Sequence, residues 1–467
     1  MIPFLAHWDT NIFPYTDSLR SLEFANYHSL ETYIFTMTGD HFSPVSKLFL
    51  WFQLRCFPNS IIQFSVFSIL IQGLIGIFSY QWFKQLNFSS SSSLVVASLI
   101  STTIASSAIV SWHICQSWQL GVMFSVLSFR FASMYADEGG KKIYFYLYII
   151  ISFFALLSME SAVGCLFFIP ILYTKNKKDL LYWFVSIAVI IMAFLLSKKL
   201  LVTTDYSQVP DINFNVFIQL KNILVMASNG IFIQLPFHPL FLNEVFSIVL
   251  LVVFVLGMIL FTRKNKFHFR IFLAAFLSIL ACYALVCLTR NTEDVYRIMK
   301  QRYFYVPSLF LMMMLVMPIS SFMNKVKKKY WLSAFVILLC VNIVGVRLVH
   351  NRLILDLTSH MKRVCLQVEK HLQIAVSENL NNVPDVCLDS SFGFVNIRFA
   401  SEFFNMNIQK DKIKFLPYEE FIATKNNLYL PILNWQKSLY MLPKHRYYET
   451  AKAKDVTKYY VNDYFQK

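Results

Sequence analysis

The chain has 467 residues, of which 57% are hydrophobic, 17% aromatic and only 15% charged. Soluble domains carry about 25% charged residues, so the composition excludes an ordinary globular protein and points to a chain that crosses a membrane repeatedly. The net charge of +16 would suggest nucleic acid in a soluble protein, but here the cations sit in short clusters between apolar runs, where membrane topology accounts for them.

Met1–Pro58 carries Asp9, Asp17, Glu23, Glu31 and Asp40 among many aromatics. Its apolar segments are too interrupted to span a bilayer, and no secretory leader is expected, because no basic stretch precedes an apolar one. It contains Thr38-Gly39-Asp40-His41-Phe42-Ser43-Pro44, an acid, an imidazole and a helix-starting proline directly ahead of apolar Val45–Phe52. Polar groups at a membrane edge are costly unless used.

Spans follow at Ile61–Phe83, at two crossings within Gln85–Phe129 divided near Ser111–Trp112, and at Ile143–Met159 and Ser161–Thr174, which Glu160 separates. Leu180–Ser197, Val245–Phe261, Ile271–Thr289, Tyr303–Phe322 and Tyr330–Val346 complete about ten segments near the roughly 20 residues a crossing needs. With the N-terminal stretch outside, Lys84, Lys141-Lys142, Lys175/Lys177/Lys178, Arg263/Lys264/Lys266/Arg270 and Lys325/Lys327/Lys328/Lys329 all fall inside, as the positive-inside rule requires. One compact cluster does not obey. Arg290, Arg297, Lys300 and Arg302 land outside.

Arg347–Lys467 is charged and Asn-rich, and the same walk places it outside. Met361–Ser377 has helical apolar spacing, while Val383–Ile397 and Lys414–Tyr418 read as short strand segments. The expected fold is an α-helical polytopic membrane protein with a small C-terminal extracytoplasmic α/β domain. Its parts are residues 1–58, an outer N-terminal segment; 59–346, the transmembrane domain; and 347–467, the outer C-terminal domain. Of eight cysteines, only Cys365 and Cys387 lie in this polar tail, which leaves a disulfide between them open. The others read as small core residues.

A carboxylate near aromatics at a membrane surface can act as a general base on an acceptor hydroxyl, which makes Asp9, Asp17 and Asp40 candidates. Asp40 and His41 leave a divalent cation open, but two adjacent ligands do not specify a metal site, and no cofactor is implied. Guanidinium forks bind phosphate oxygens, so the outer cations suit the phosphate of a lipid carrier. Glu160 is an acid at the edge of the membrane.

Together these pieces resemble the polytopic GT-C glycosyltransferases, the superfamily of protein O-mannosyltransferases and lipid A aminoarabinose transferases. Arg302-Tyr303-Phe304-Tyr305-Val306-Pro307-Ser308 resembles the R-Y-x-Y-x-P-S segment of TMTC-type members and their bacterial relatives. Leu157–Ala162 resembles their L-x-K-E-x-A segment, with Glu160 on the acid and Met159 where lysine is usual. Gly39–Pro44 is similar to the H-x-x-P stretch that closes the first outer loop, and His7-Trp8-Asp9 sits where the family has its acid, although the family's first span has no counterpart before it.

The resemblance implies a GT-C-like transmembrane domain that moves a sugar from a polyprenyl-phosphate-linked donor to a protein or glycan acceptor. Transfer would take place on the outer face of a plasma or inner membrane, with membrane lipid as the surroundings and no nucleic-acid partner. Asp9 would be the leading base, with Asp40 and His41 as alternates. Arg290, Arg297, Lys300 and Arg302, with Tyr305 and Glu160, would serve the donor. The alternatives are a non-enzymatic transporter or lipid-handling protein, whose intramembrane polar groups would line a path, and an inactive GT-C-like scaffold.

Overall fold

A computed structural model of the protein describes residues 28–37, 41–57, 62–111, 113–137, 140–174, 177–202, 215–232, 244–290 and 301–350, the isolated positions 3, 6 and 25, and three short strands. The chain divides into two compact units. The first comprises Met1–Asp9, Ser29–Leu50 and Phe64–Asn351, and the second Thr10–His28, Trp51–Gln63 and Arg352–Lys467.

The first unit is helical throughout its described residues. Helix α1 (Leu30–Phe35) begins where the Ser29 side chain accepts from the Thr32 amide, and ends at Thr36. Helix α2 (Pro44–Cys56) opens on a proline, whose missing N–H costs nothing at that position. The bundle then runs α3 (Ile62–Gln85), α4 (Ser90–Ser101), α5 (Ile104–Ser111), α6 (Gln116–Asp137) and α7 (Lys142–Ser158). A 3-10 turn at Glu160–Ala162 leads into the short helices α8 (Val163–Leu166) and α9 (Phe168–Tyr173). Helices α10 (Lys177–Leu201), α11 (Val216–Phe232), α12 (Glu244–Thr262), α13 (Lys266–Arg290), α14 (Gln301–Lys325) and α15 (Lys328–His350) follow.

Six of these helices are long and apolar enough to cross a membrane: α3, α10, α12, α13, α14 and α15. They coincide with six of the segments the sequence marks. The other four are realised differently. The stretch 85–111 is divided into α4 and α5, with Thr102 and Thr103 in the break, and Ile143–Met159 is the 17-residue α7. Ser161–Thr174 is broken into α8 and α9. Helix α6 has 22 residues, with Gln116 and Gln119 near its start and Arg130 farther along.

Helix α11 corresponds to none of the expected spans. Gln219, Lys221, Asn222, Ser228 and Asn229 interrupt its apolar pattern, yet Gln219, Asn222, Ser228 and Asn229 are all buried. Its contacts fix its direction. The Cys287 thiol lies 3.7 Å from the Met226 sulfur, and Gly230 lies against the Tyr283 hydroxyl, so α11 runs antiparallel to α13. Any side chain at Gly230 would collide with that tyrosine. Helices α12 and α13 are joined by a tight turn at Arg263–Asn265 and oppose each other. Consequently α11 and α12, consecutive in sequence, point the same way. The Lys221–Glu244 ion pair at 3.2 Å and the Asn229–Ser247 hydrogen bond at 3.3 Å agree.

Aromatic packing forms much of the interior. Trp82, Phe129, Phe168 and Phe310 interlock with ring centroids 5.2 to 6.3 Å apart, joining α3, α6, α9 and α14. Beside them lies a polar network. Gln72 donates to the Ile100 carbonyl at 3.1 Å and accepts from the Tyr305 hydroxyl at 2.6 Å, while Gln119 donates to the Ser68 carbonyl at 2.9 Å. Polar side chains bonded across helices hold a bundle in register where burial alone does not. By contrast, α12 and α15 leave most of their apolar side chains exposed, as lipid-facing helices do.

The second unit contributes the C-terminal end of α2, where the Arg55 guanidinium lies 5.4 Å from the Trp51 ring centroid. Strands β1 (Val386–Asp389), β2 (Ile413–Leu416) and β3 (Leu428–Leu430) form a parallel sheet in the order β2-β1-β3. Val386 is in register with Ile413 on one side and with Leu428 on the other. β1 falls within Val383–Ile397 and β2 overlaps Lys414–Tyr418, while β3 was not expected from the sequence. The helix expected at 361–377 and the Cys365 end of the candidate disulfide lie outside the described residues.

Candidate functional site

The 3-10 turn after α7 puts a carboxylate where three distant segments meet. Met159 is extended, at φ −158° and ψ 123°, which ends α7 and turns the chain so that Glu160 starts the next helical turn. Its Oε2 lies 3.0 Å from His41 Nδ1, and its Oε1 accepts from the Phe42 amide at 3.1 Å. Lys198, in the last turn of α10, donates to the same Oε1 at 3.1 Å. The Phe42 ring packs on Phe194, one turn before Lys198, at 6.1 Å. One acid thereby ties the chain entering α2 to the end of α10.

The electrostatics follow from this geometry. Burial pushes the Glu160 carboxyl upward, but the hydrogen bond and charge of His41, the charge of Lys198 and the Phe42 amide together outweigh it. Its affinity for a proton is held below the ordinary carboxylate value. An ionised carboxylate with three donors is a poor general base and a strong anchor. Glu160 is 20% exposed, His41 31% and Lys198 33%, so water still reaches the cluster.

Six residues on, a second anchor lies in the same stretch. Lys47, at the end of the first turn of α2, is only 4% exposed. Its amine donates to the Thr36 carbonyl at the end of α1 and lies 5.6 Å from the Tyr33 ring centroid. Burial pulls the amine down to about 7 from its ordinary 10.5.

Of the residues singled out in the sequence, His41 and Glu160 are brought together across 119 positions. Arg302 opens α14; its Nη2 lies 3.3 Å from the Tyr303 hydroxyl, and the guanidinium stands 5.1 Å from that ring's centroid. The start of α6 connects this group to Glu160's turn. Trp118 packs edge-on against Tyr303 at 5.6 Å, and Ser117 touches the Met159 sulfur at 3.8 Å. Arg302 and Glu160 therefore stand at the same end of the bundle. Tyr305 is buried, and its hydroxyl donates to Gln72. Asp9, Asp17, Asp40, Arg297, Lys300 and the side chain of Arg290 lie outside the described residues.

Compared with known proteins, the chain matches no protein-family model and no characterised sequence. The site therefore has to be read from its own chemistry. Among the described residues no group of three or more His, Cys, Asp or Glu side chains could hold a metal ion.

Lys198 and Lys47 were not among the sequence candidates. Lys198 had a legible signal, because Lys198-Lys199 closes an apolar run at the end assigned to the outside and is a second exception to the positive-inside rule beside Arg290–Arg302. Lys47 had a weaker one, a single cation inside Val45–Phe52.

Proposed function

We propose that the protein is an integral-membrane glycosyltransferase that moves a sugar from a polyprenyl-phosphate-linked donor to an acceptor on the outer face of the membrane. The observation carrying this reading is the His41–Glu160 pair. It joins the two segments that separately resemble the H-x-x-P and L-x-K-E-x-A stretches of the GT-C enzymes. Chance resemblance gives no reason for two such motifs to meet at 3.0 Å.

In this reading about ten crossings place His41, Glu160, Lys198 and Arg302 outside, and Arg347–Lys467 forms a small outer α/β domain. Glu160 does not touch the donor phosphate, since two anions repel. It holds the segment bearing His41 against the end of α10. Asp9 or Asp40 takes the proton from the acceptor hydroxyl, and Arg290, Arg297, Lys300 and Arg302 hold the donor phosphate as the glycosidic bond breaks. The polar network around Gln72 and Gln119 would suit a transporter path. Two of its bonds join its own side chains and two go to backbone carbonyls of packed helices, which favours a fixed lock over a route.

The test is sugar transfer by the purified, lipid-reconstituted protein from a panel of polyprenyl-phosphate-linked sugars, for wild type, Arg302→Lys and Asp9→Asn. Arg302→Lys keeps the charge but loses the guanidinium fork, and a lost charge-assisted contact costs about 1.5–3 kcal/mol. Asp9→Asn should lower transfer by about 10²–10⁴ if Asp9 is the base. Wild-type rates in Arg302→Lys, Asp9→Asn and Asp40→Asn alike would remove the reading.

A further inference from the structure

The loop between α1 and α2 is held at two places by residues that come from different parts of the chain. At its neck, the Lys47 amine reaches back eleven positions to the carbonyl of Thr36. Beyond residues 38–40, Glu160 takes both the His41 ring and the Phe42 amide. Local bonds complete the closure: the Lys47 amide donates to the Ser43 carbonyl at 3.1 Å, and the Ser46 hydroxyl donates to the same oxygen at 2.9 Å. The chain is therefore fixed immediately before and immediately after residues 38–40.

A lysine is an expensive way to close a loop. Its ammonium form is strongly hydrated and loses that water on burial, and at this site the burial is nearly complete. An apolar side chain of similar length would fill the same space without the penalty. Beside its contact with the Tyr33 ring, the return is geometric: the amine is a donor on a long stem, and it reaches one particular carbonyl at the end of α1.

We propose that Lys47 is a positioning residue for sugar transfer, closing the neck of the loop whose far side Glu160 anchors. This rests on the glycosyltransferase reading, because the loop matters catalytically only if the outer segment carries the base. Lys47 touches neither substrate nor reacting atoms in this scheme. It acts by holding the chain on which those groups are mounted, where displacement by about 1 Å can cost on the order of a hundredfold in rate.

The experiment compares wild type with Lys47→Met and Lys47→Arg in lipid-reconstituted protein, using the panel of polyprenyl-phosphate-linked sugars. A separate arm introduces Met37→Cys into a Cys56→Ser/Cys340→Ser/Cys365→Ser/Cys387→Ser background and follows its labelling by a hydrophilic maleimide. Lys47→Met is expected to fold, to lower kcat by about tenfold to a hundredfold with the donor KM nearly unchanged, and to speed Met37→Cys labelling by about tenfold as the neck loosens. Lys47→Arg, which keeps a donor, should recover part of both. Unchanged kcat in Lys47→Met, whether or not labelling changes, overturns the positioning role. A lowered kcat with unchanged labelling overturns the neck as its cause. If wild type transfers no sugar from any donor, the glycosyltransferase reading fails and the positioning role with it, while the labelling arm still decides whether Lys47 closes the loop.

Discussion

At the scale of single residues, the two titratable groups that hold the chain between α1 and α2, Glu160 and Lys47, are pushed in ways that suit anchoring. Glu160 is kept charged by its donors and Lys47 is drawn toward its neutral form by burial. The lysine makes a pH prediction with a definite sign. Its amine loses its proton near pH 7 in the folded protein, and near 10.5 when unfolded. Between those values the unfolded chain binds more protons, so stability must rise with pH across that window. Below about 7 both states are protonated, and the full cost of burying an ammonium is present. Thermal unfolding of detergent-solubilised protein at a fixed scan rate should show a midpoint that climbs from pH 6.5 to 9 in wild type, and climbs less in Lys47→Met. Parallel profiles for the two proteins would show that the lysine is solvated in the native state.

Among the elements, α11 carries the largest departure from the expected architecture. It points the same way as α12, so both helices start at one end of the bundle. Its level against α13 gives its depth. Gly230 lies opposite Tyr283, which leaves the end of α11 near the level of position 281. At about 1.5 Å per residue, that is about 22 Å short of the start of α13. The described length of α11 thus starts at one end and covers only part of the depth of α13, a geometry that suits a re-entrant segment covered by protein. Cysteines placed at Asn215 and Glu244, at the starts of α11 and α12, should therefore react with an impermeant maleimide from the same side of the membrane. A cysteine at Asn265, in the turn between α12 and α13, should react only from the other. Labelling of Asn215→Cys and Glu244→Cys from opposite sides would make α11 an ordinary crossing. Its omission from the sequence reading has a plain cause. Five polar side chains interrupt its apolar pattern, and its 17 residues fall short of the roughly 20 that a crossing needs. The six long apolar helices were legible because each meets the bilayer criterion alone. The division of α4 from α5 was not, because Thr102 and Thr103 leave the run uncharged, whereas the short Ser161–Thr174 already read as a helix that could be broken. At the site, the two motifs holding His41 and Glu160 could each be read locally. Their pairing spans 119 positions, Lys198 reaches Glu160 across 38, and Lys47 reaches the Thr36 carbonyl across 11, contacts that no local pattern encodes.

For the whole molecule, sidedness links the site to the proposed chemistry. Glu160, His41 and the last turn of α10 share one end, and the start of α6 links Glu160's turn to Arg302 at the start of α14. That end therefore gathers Lys198, Lys199 and Arg302, while Arg263, Lys264 and Lys325 mark the opposite ends of α12 and α14. The positive-inside rule assigns the denser cationic end to the cytoplasm. With Arg263, Lys264, Lys266 and Arg270 added to Lys84, Lys141-Lys142 and Lys325/Lys327/Lys328/Lys329, the opposite end carries more cations than the Glu160 end, so the Glu160 end should face outward. Lys198 there is paired with Glu160, and the guanidinium of Arg302 would suit a carrier phosphate at the outer headgroup level. Glu31→Cys, at an exposed position in α1, should react with an impermeant maleimide in intact cells, while Lys325→Cys should react only after permeabilisation. The reverse pattern would turn the site toward the cytoplasm. It would also remove the reason for an outer-face donor, because Arg302 would then obey the rule it now breaks.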